Sequence, residues 1–260
     1  MDIGTAKATA AQRARVPHHG LDLVDPPEPF TAADYRSHAM AALAGVAALD
    51  RLSILVGGTG LYLRTVARGL PLDAAGHDPA IRAELESRLE RDGLEALVAE
   101  LRRTAPRSAM QIDAANPRRV VRALERARLT GDQPPPSPTG YAAPVLWLGL
   151  RLEPDVHRAR IDERARRQFD AGLVDEAAAL RERFGTTPRA FSAIGYREAF
   201  GVIDGLLTRE EAIIEDAARN WAYARRQGTW FRSEPEMVWL DATSDPFPAA
   251  WSLVEAWLSR

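Results

Sequence analysis

The stretch LSILVGGTGLYLRTV, residues 52–66, decides how the rest of the chain is read. Leu52 to Val56 form a short apolar run with β-branched members, Gly57-Gly58-Thr59-Gly60 follows, and LYLRTVARGL continues with helical character. Strand, glycine turn and helix make the unit of a parallel α/β sheet, whose ligand site lies at the carboxyl end of the strand. The spacing therefore predicts a strand over 52–56 and a helix beyond it. Taken alone, GGTG fits a ligand-free connecting turn equally well.

Upstream, Thr31 precedes AADYRSHAMAALAGVAAL, where small and apolar residues recur at helical spacing behind an N-cap residue, predicting a helix to about Leu49. Further upstream the sequence opens MDIGTAK. Gly4-Thr5 is turn chemistry, and Ile3 has no earlier strand or helix to pack on.

Downstream, the character changes at Asp78. DPAIRAELESRLERDGLEALVAELRRTAP and NPRRVVRALERARLTG are charged helical patterns without strand signals between them. They predict a helical insertion over 79–140, closed by the proline-rich connector DQPPPSPTG, which cannot continue a helix. Strand character returns in PVLWLGL, followed by long helices through RIDERARRQFDAGLVDEAAAL and TREEAIIEDAARNWAYARRQGTWF, and by the short strand MVWL. Residues 1–78 and 141–260 then make an α/β core.

At 260 residues and 46% hydrophobic content, the chain can bury a substantial core. The absence of cysteine excludes disulfides, thiolate metal sites and cysteine nucleophiles, and it fits a reducing cytoplasm, the expected location. No apolar run approaches the roughly 18 residues of a membrane span, so no membrane partner is expected. A formal net charge of −2 argues against a chain basic all over but leaves room for local cationic patches. Lys7 is the single lysine and lies between Ala6 and Ala8. A Walker A loop needs G-K-[ST], because its lysine reaches the terminal phosphates, so this sequence contains no such loop.

Several stretches could carry chemistry. Arg118, Arg122 and Arg126 fall at i, i+4 and i+8 of one predicted helix, and Arg119 widens the stripe. Arginines so spaced can track phosphates; a solvated helix face paired with Glu125 is the plainer alternative. WAYARRQGTWFR interleaves Trp221, Tyr223, Trp230 and Phe231 with Arg225, Arg226 and Arg232, which suits base stacking, or simply a core-facing aromatic row. Arg160 and Arg164, one turn apart, could grip a diphosphate. SAIGYRE sets Arg197 after Gly195-Tyr196, where a polar turn could present a cation.

The order of MDIGTAK, VPHH with LDLVDP, TAADYR, ILVGGTGLYLR, DPAIR, NPRRVVRALE, LTG, AIGYREAF and YARRQGTWFR resembles that of the tRNA dimethylallyltransferases across essentially the whole chain. The resemblance implies a P-loop-type parallel sheet core with a helical insertion that grips the anticodon stem-loop. It implies transfer of a dimethylallyl group from dimethylallyl diphosphate to N6 of the adenosine just 3′ of the anticodon, with Mg²⁺ as cofactor and a monomeric protein. The base must then be flipped into a closed channel and aligned with the allylic carbon.

By position in the motifs, Thr59 corresponds to the family's channel threonine near the reacting groups, and Arg82 to a tRNA-contacting arginine. Arg118, Arg119, Val120, Val121 and Arg122 fall in its tRNA-binding helix, although Arg118 stands where glutamine is usual and Asn116 where aspartate is usual. Ser192, Ala193, Ile194, Gly195, Tyr196 and Arg197 fall in the segment lining the tRNA side of the channel. Arg160 and Arg164 are the diphosphate candidates; no protein ligand to a metal is assigned.

In the family, MDIGTAK follows a strand, a GPTxxGK[ST]-type loop and an Asp-Ser pair with the catalytic aspartate, about 40 residues in all. None of these occurs in the sequence. Met1 is therefore expected to be an internal methionine or the start of a truncated gene, and the 260 residues alone are expected to lack the first strand, the phosphate loop and the base, and so to be inactive. The alternatives are a non-catalytic RNA-binding remnant and, less well supported by the arginine-rich insertion, a prenyltransferase for free adenine nucleotide.

Overall fold

The structure is a computed structural model that describes residues 1–70, 78–133 and 137–259. In chain order its elements are helices α1 (Ala10–Arg15), α2 (Ala32–Ala47), α3 (Gly60–Ala67), α4 (Pro79–Thr104), α5 (Pro106–Gln111) and α6 (Pro117–Thr130), then strand β1 (Leu148–Arg151). Helices α7 (Pro154–Asp170), α8 (Leu173–Phe184), α9 (Tyr196–Ile203) and α10 (Arg209–Arg232), strand β2 (Val238–Asp241) and helix α11 (Phe247–Leu258) follow, with one 3₁₀ turn over Arg189–Ser192. The chain divides into two compact units, Met1–Ala67 with Tyr141–Arg260, and Arg68–Gly140. Residues 134–136 of the proline-rich connector lie outside the described residues.

In the first unit, α2 starts where the sequence places it. The Thr31 side chain accepts from Asp34 N–H while Asp34 accepts from Thr31 N–H at 2.8 Å, a reciprocal capping box. Tyr35 of α2 stacks on Tyr62 of α3 with ring centroids 4.5 Å apart, and Arg36 Nε donates to Thr65 O at 3.1 Å. Helices α7 to α10 bury a common core of Ile161, Phe169, Leu173, Tyr196, Ile213 and alanines between them. The alanines let the helices approach closely, and apolar area removed from water there stabilises at roughly 25 cal/mol per Å².

The parallel sheet is smaller than the sequence suggests. It is a β1–β2 pair, with Leu148 opposite Val238 and Leu150 opposite Leu240. The strand expected over 52–56 does not form: this stretch has no regular structure, and Ile54 and Val56 are 81% and 85% exposed. Apolar, β-branched composition fits a pleated surface but supplies no partner, and a strand persists only where a neighbour takes up its N–H and C=O groups. Among the described residues none pairs with 52–56.

The opening residues also differ from expectation. Ile3 packs, partly buried, against the core of α7 to α10. Glu176 accepts from the N–H groups of Asp2 at 2.5 Å and Ile3 at 3.1 Å, while Gln168 Nε2 donates to Ile3 O at 2.8 Å and Gly4 O at 3.0 Å. The packing partners of Ile3 thus come from later in the chain.

The second unit is built from α4, α5 and α6 around Leu85, Leu97, Leu101, Val120, Val121 and Leu124. Asp78 caps α4 by accepting from Ala80 N–H at 2.8 Å, with Pro79 at the first helical position. Asn116 caps α6 in the same way, accepting from Arg119 N–H at 3.3 Å.

Candidate active site and nucleic-acid interface

The GGTG turn of the first unit enters α3 against the flank of α10. Gln227 Nε2 donates to Gly58 O at 3.0 Å, and Tyr223 Oη donates to the same carbonyl at 3.2 Å. A Cβ on Gly58 would overlap Gln227 Nε2, and one on Gly60 would overlap the Trp230 indole nitrogen. The rigid indole leaves room only for glycine at position 60, whereas a side chain at position 58 would displace the Gln227 amide from its place on the main chain. Thr59 itself is exposed, with Oγ1 3.3 Å from Tyr223 Oη.

Arg64 secures the far side of α3. Its guanidinium pairs with the buried Glu234 at 2.5 Å, donates to Ser233 Oγ at 3.0 Å and stacks over Trp230 at 4.9 Å. Among the described residues the Trp230 indole N–H is buried without a hydrogen-bond partner, which places one unsatisfied donor beside the turn.

Residues 192–197 form a second turn, before α9. Gly195 adopts φ of +92°, a conformation that L side chains rarely adopt, and its N–H donates to Glu198 Oε2 at 2.7 Å. Glu198, buried, also pairs with Arg219 of α10, whose other nitrogen donates to Ser192 O at 3.3 Å. Beside it, Asp216 is fully buried and its carboxyl is pushed up to about 6, first by burial and then by the Glu198 charge. Asn220 donates to one Asp216 oxygen at 2.5 Å; the other is buried without a partner among the described residues.

Of the expected channel segment, Ser192 and Arg197 are exposed and Ala193 and Ile194 half-buried. Tyr196 is fully buried, donating to Glu176 Oε2 at 2.7 Å, and burial followed by that hydrogen bond raises its phenol above the ordinary range. Its side chain is core, so the polar groups this segment offers to solvent are those of Ser192 and Arg197.

Arg160 and Arg164 lie exposed on α7, with Arg164 Nη2 donating to Asn220 Oδ1 at 2.9 Å. Burial, then the charges of Arg160 and Arg164, depresses the His157 imidazole. Arg158 adds a guanidinium over Trp221 at 5.9 Å, so this stretch of α7 against α10 is cationic.

The second unit sorts its arginines into two groups. Arg82 Nη2 and Arg122 Nη1 converge on the fully buried Glu125 at 2.5 and 2.7 Å, and Asp78 N–H donates to the same carboxylate at 3.1 Å. Arg126 donates to Ser108 Oγ at 3.0 Å. Val120 and Val121 are buried in the core, so the polar groups this segment offers to solvent come from its arginines. Arg118 and Arg119 remain, exposed in the first turn of α6. There their charges oppose the helix dipole, at a cost of about 0.3–1 kcal/mol each, so helix stability does not account for them.

Gln227, Glu198, Asp216 and Arg219 have no site role legible in the sequence, and the contact of Tyr223 with Thr59 is equally unsignalled. Tyr223 stood out only as one aromatic among several, and the others carry no local signal.

The family model for IPP transferase matches residues 1–234. The chain belongs to this family. The tRNA dimethylallyltransferase of Thermus thermophilus is 44% identical over 250 residues, covering 92% of this chain and 80% of the relative. That of Roseiflexus castenholzii is 43% identical over 247 residues, covering 93% and 80%. Among solved structures, the full-length tRNA isopentenylpyrophosphate transferase of Bacillus halodurans superposes with a TM-score of 0.70 at 38% identity, covering all of this chain and 82% of that one. A eukaryotic dimethylallyltransferase acting on tRNA shares the fold at a TM-score of 0.77 and 21% identity, covering 99% and 69%. In an IPP transferase, the glycine-flanked Thr59 and the exposed arginines of α6 become the features to be explained by function.

Proposed function

We propose that this IPP transferase moves a dimethylallyl group from dimethylallyl diphosphate to N6 of the adenosine 3′-adjacent to the anticodon of tRNA. The observation that carries the reading is the GGTG turn, which holds an exposed threonine hydroxyl on a main chain clamped by Tyr223 and Gln227. Preorganised polar groups of this kind require little rearrangement as charge shifts in the transition state. The relatives' names and the match over most of the chain support the same reaction.

The tRNA side of the reading rests on Arg118 and Arg119, which are exposed, cationic and placed against their own helix dipole. A phosphate backbone supplies the compensating charge. Exposed Ser192 and Arg197, on a turn fixed from below by Glu198 and Arg219, provide a second polar surface in the other unit. Arg160 and Arg164 are the side chains proposed to meet the diphosphate, since α7 concentrates guanidinium groups there.

Among the described residues no three His, Asp or Glu side chains gather where they could hold a metal ion. When bound, Mg²⁺ would neutralise charge on the departing diphosphate.

The open reading frame that contains this sequence tests the reading when expressed in a bacterium lacking its own tRNA prenyltransferase. Mass spectrometry of the digested tRNA should show prenylated adenosine. Its absence, with the protein present and folded, would contradict the proposal.

A further inference from the structure

We propose that Tyr223 is a positioning residue that fixes the Thr59 hydroxyl as a hydrogen-bond acceptor facing the amine to be alkylated, an inference that rests on the tRNA reading above. The available hydrogens fix the direction of each bond. Gly58 O, a carbonyl, can only accept, and it lies 3.2 Å from Tyr223 Oη. A phenol carries one hydrogen, so Tyr223 gives its own to Gly58 O. The 3.3 Å bond between Tyr223 Oη and Thr59 Oγ1 must then use the threonine's single hydrogen.

Gln227 reinforces the arrangement. Its amide nitrogen occupies the second lone pair of Gly58 O at 3.0 Å, so the carbonyl is saturated and fixed in direction. What Thr59 offers outward is therefore lone pairs alone. A diphosphate also presents acceptors and would meet them lone pair to lone pair. An exocyclic adenine amine presents two N–H donors and complements them. Thr59 thus orients the nucleophile and does not hold the leaving group. Tyr223, which need not touch either substrate, sets that polarity.

The test compares two anticodon stem-loop RNAs, one with adenosine and one with purine ribonucleoside, which lacks the amine, just 3′ of the anticodon. Their affinities are measured with the wild-type protein and with Tyr223→Phe, Thr59→Val and Thr59→Ser. The wild type and Thr59→Ser should favour the adenosine RNA by about fivefold, the worth of one hydrogen bond. Thr59→Val should abolish that preference, and Tyr223→Phe should reduce it at least by half while leaving the affinity for the purine RNA unchanged. Thr59 is exposed, so its variants keep the comparison informative if Tyr223→Phe fails to fold. Equal binding of the two RNAs by the wild type, a full preference in Thr59→Val, or a full preference in folded Tyr223→Phe would overturn the assignment. Failure to bind either RNA would overturn the tRNA reading itself, and the inference with it.

Discussion

Asp216 is held in an unusual state for a carboxylate. It is fully buried, one oxygen has no partner among the described residues, and Glu198 lies close enough for its charge to add to the effect of burial. With the folded-state value pushed up to about 6 against an ordinary value near 3.9, the folded protein holds this proton more tightly than the unfolded chain. The stability it contributes is full below pH 4, falls as pH rises towards 6, and is flat above. Asp216→Asn keeps the shape but has no proton to lose. Urea unfolding should therefore show the variant gaining on the wild type by up to about 3 kcal/mol between pH 4 and pH 7. Parallel stability curves would contradict the burial argument. At this scale the sequence revealed Thr59, because its glycine neighbours are local. It hid Tyr223, whose hydroxyl meets Thr59 across 164 residues, and likewise the Glu198, Asp216 and Arg219 group.

Among the elements, those with local signals were legible. The start of α2 follows from Thr31 and Asp34, and that of α4 from Asp78 and Pro79, because caps are completed within one turn. The strand expected over 52–56 was not, since strand formation depends on a partner that no local pattern encodes. Helix α6 was legible as a helix but not in its division of labour. Its arginine periodicity is regular, yet Arg122 turns inward to Glu125, together with Arg82 from α4, while Arg118 and Arg119 face solvent. Replacing Arg118 and Arg119 together by glutamine should weaken binding of the anticodon stem-loop. It should also lower the slope of log affinity against log salt by about 1.5, at roughly 0.7–0.9 for each phosphate that is no longer neutralised. Fluorescence anisotropy over a salt series measures this, and an unchanged slope would remove α6 from the interface.

For the molecule as a whole, charge explains more through placement than through total. A net charge of −2 gives no general attraction to RNA, so the proposed binding rests on local groups, the first turn of α6 in one unit and the cationic stretch of α7 in the other. The family is established by a match over residues 1–234 and by relatives more than 40% identical over most of the chain, and prenyl transfer to tRNA is the reaction for which these groups are proposed. The most direct measurement incubates the purified product of the open reading frame containing this sequence with radiolabelled dimethylallyl diphosphate, Mg²⁺ and unmodified tRNA. Label should appear in the tRNA, confined to the adenosine 3′ of the anticodon, and should vanish when that adenosine is replaced by guanosine. Label on free adenine nucleotide instead, or none on tRNA, would contradict the account.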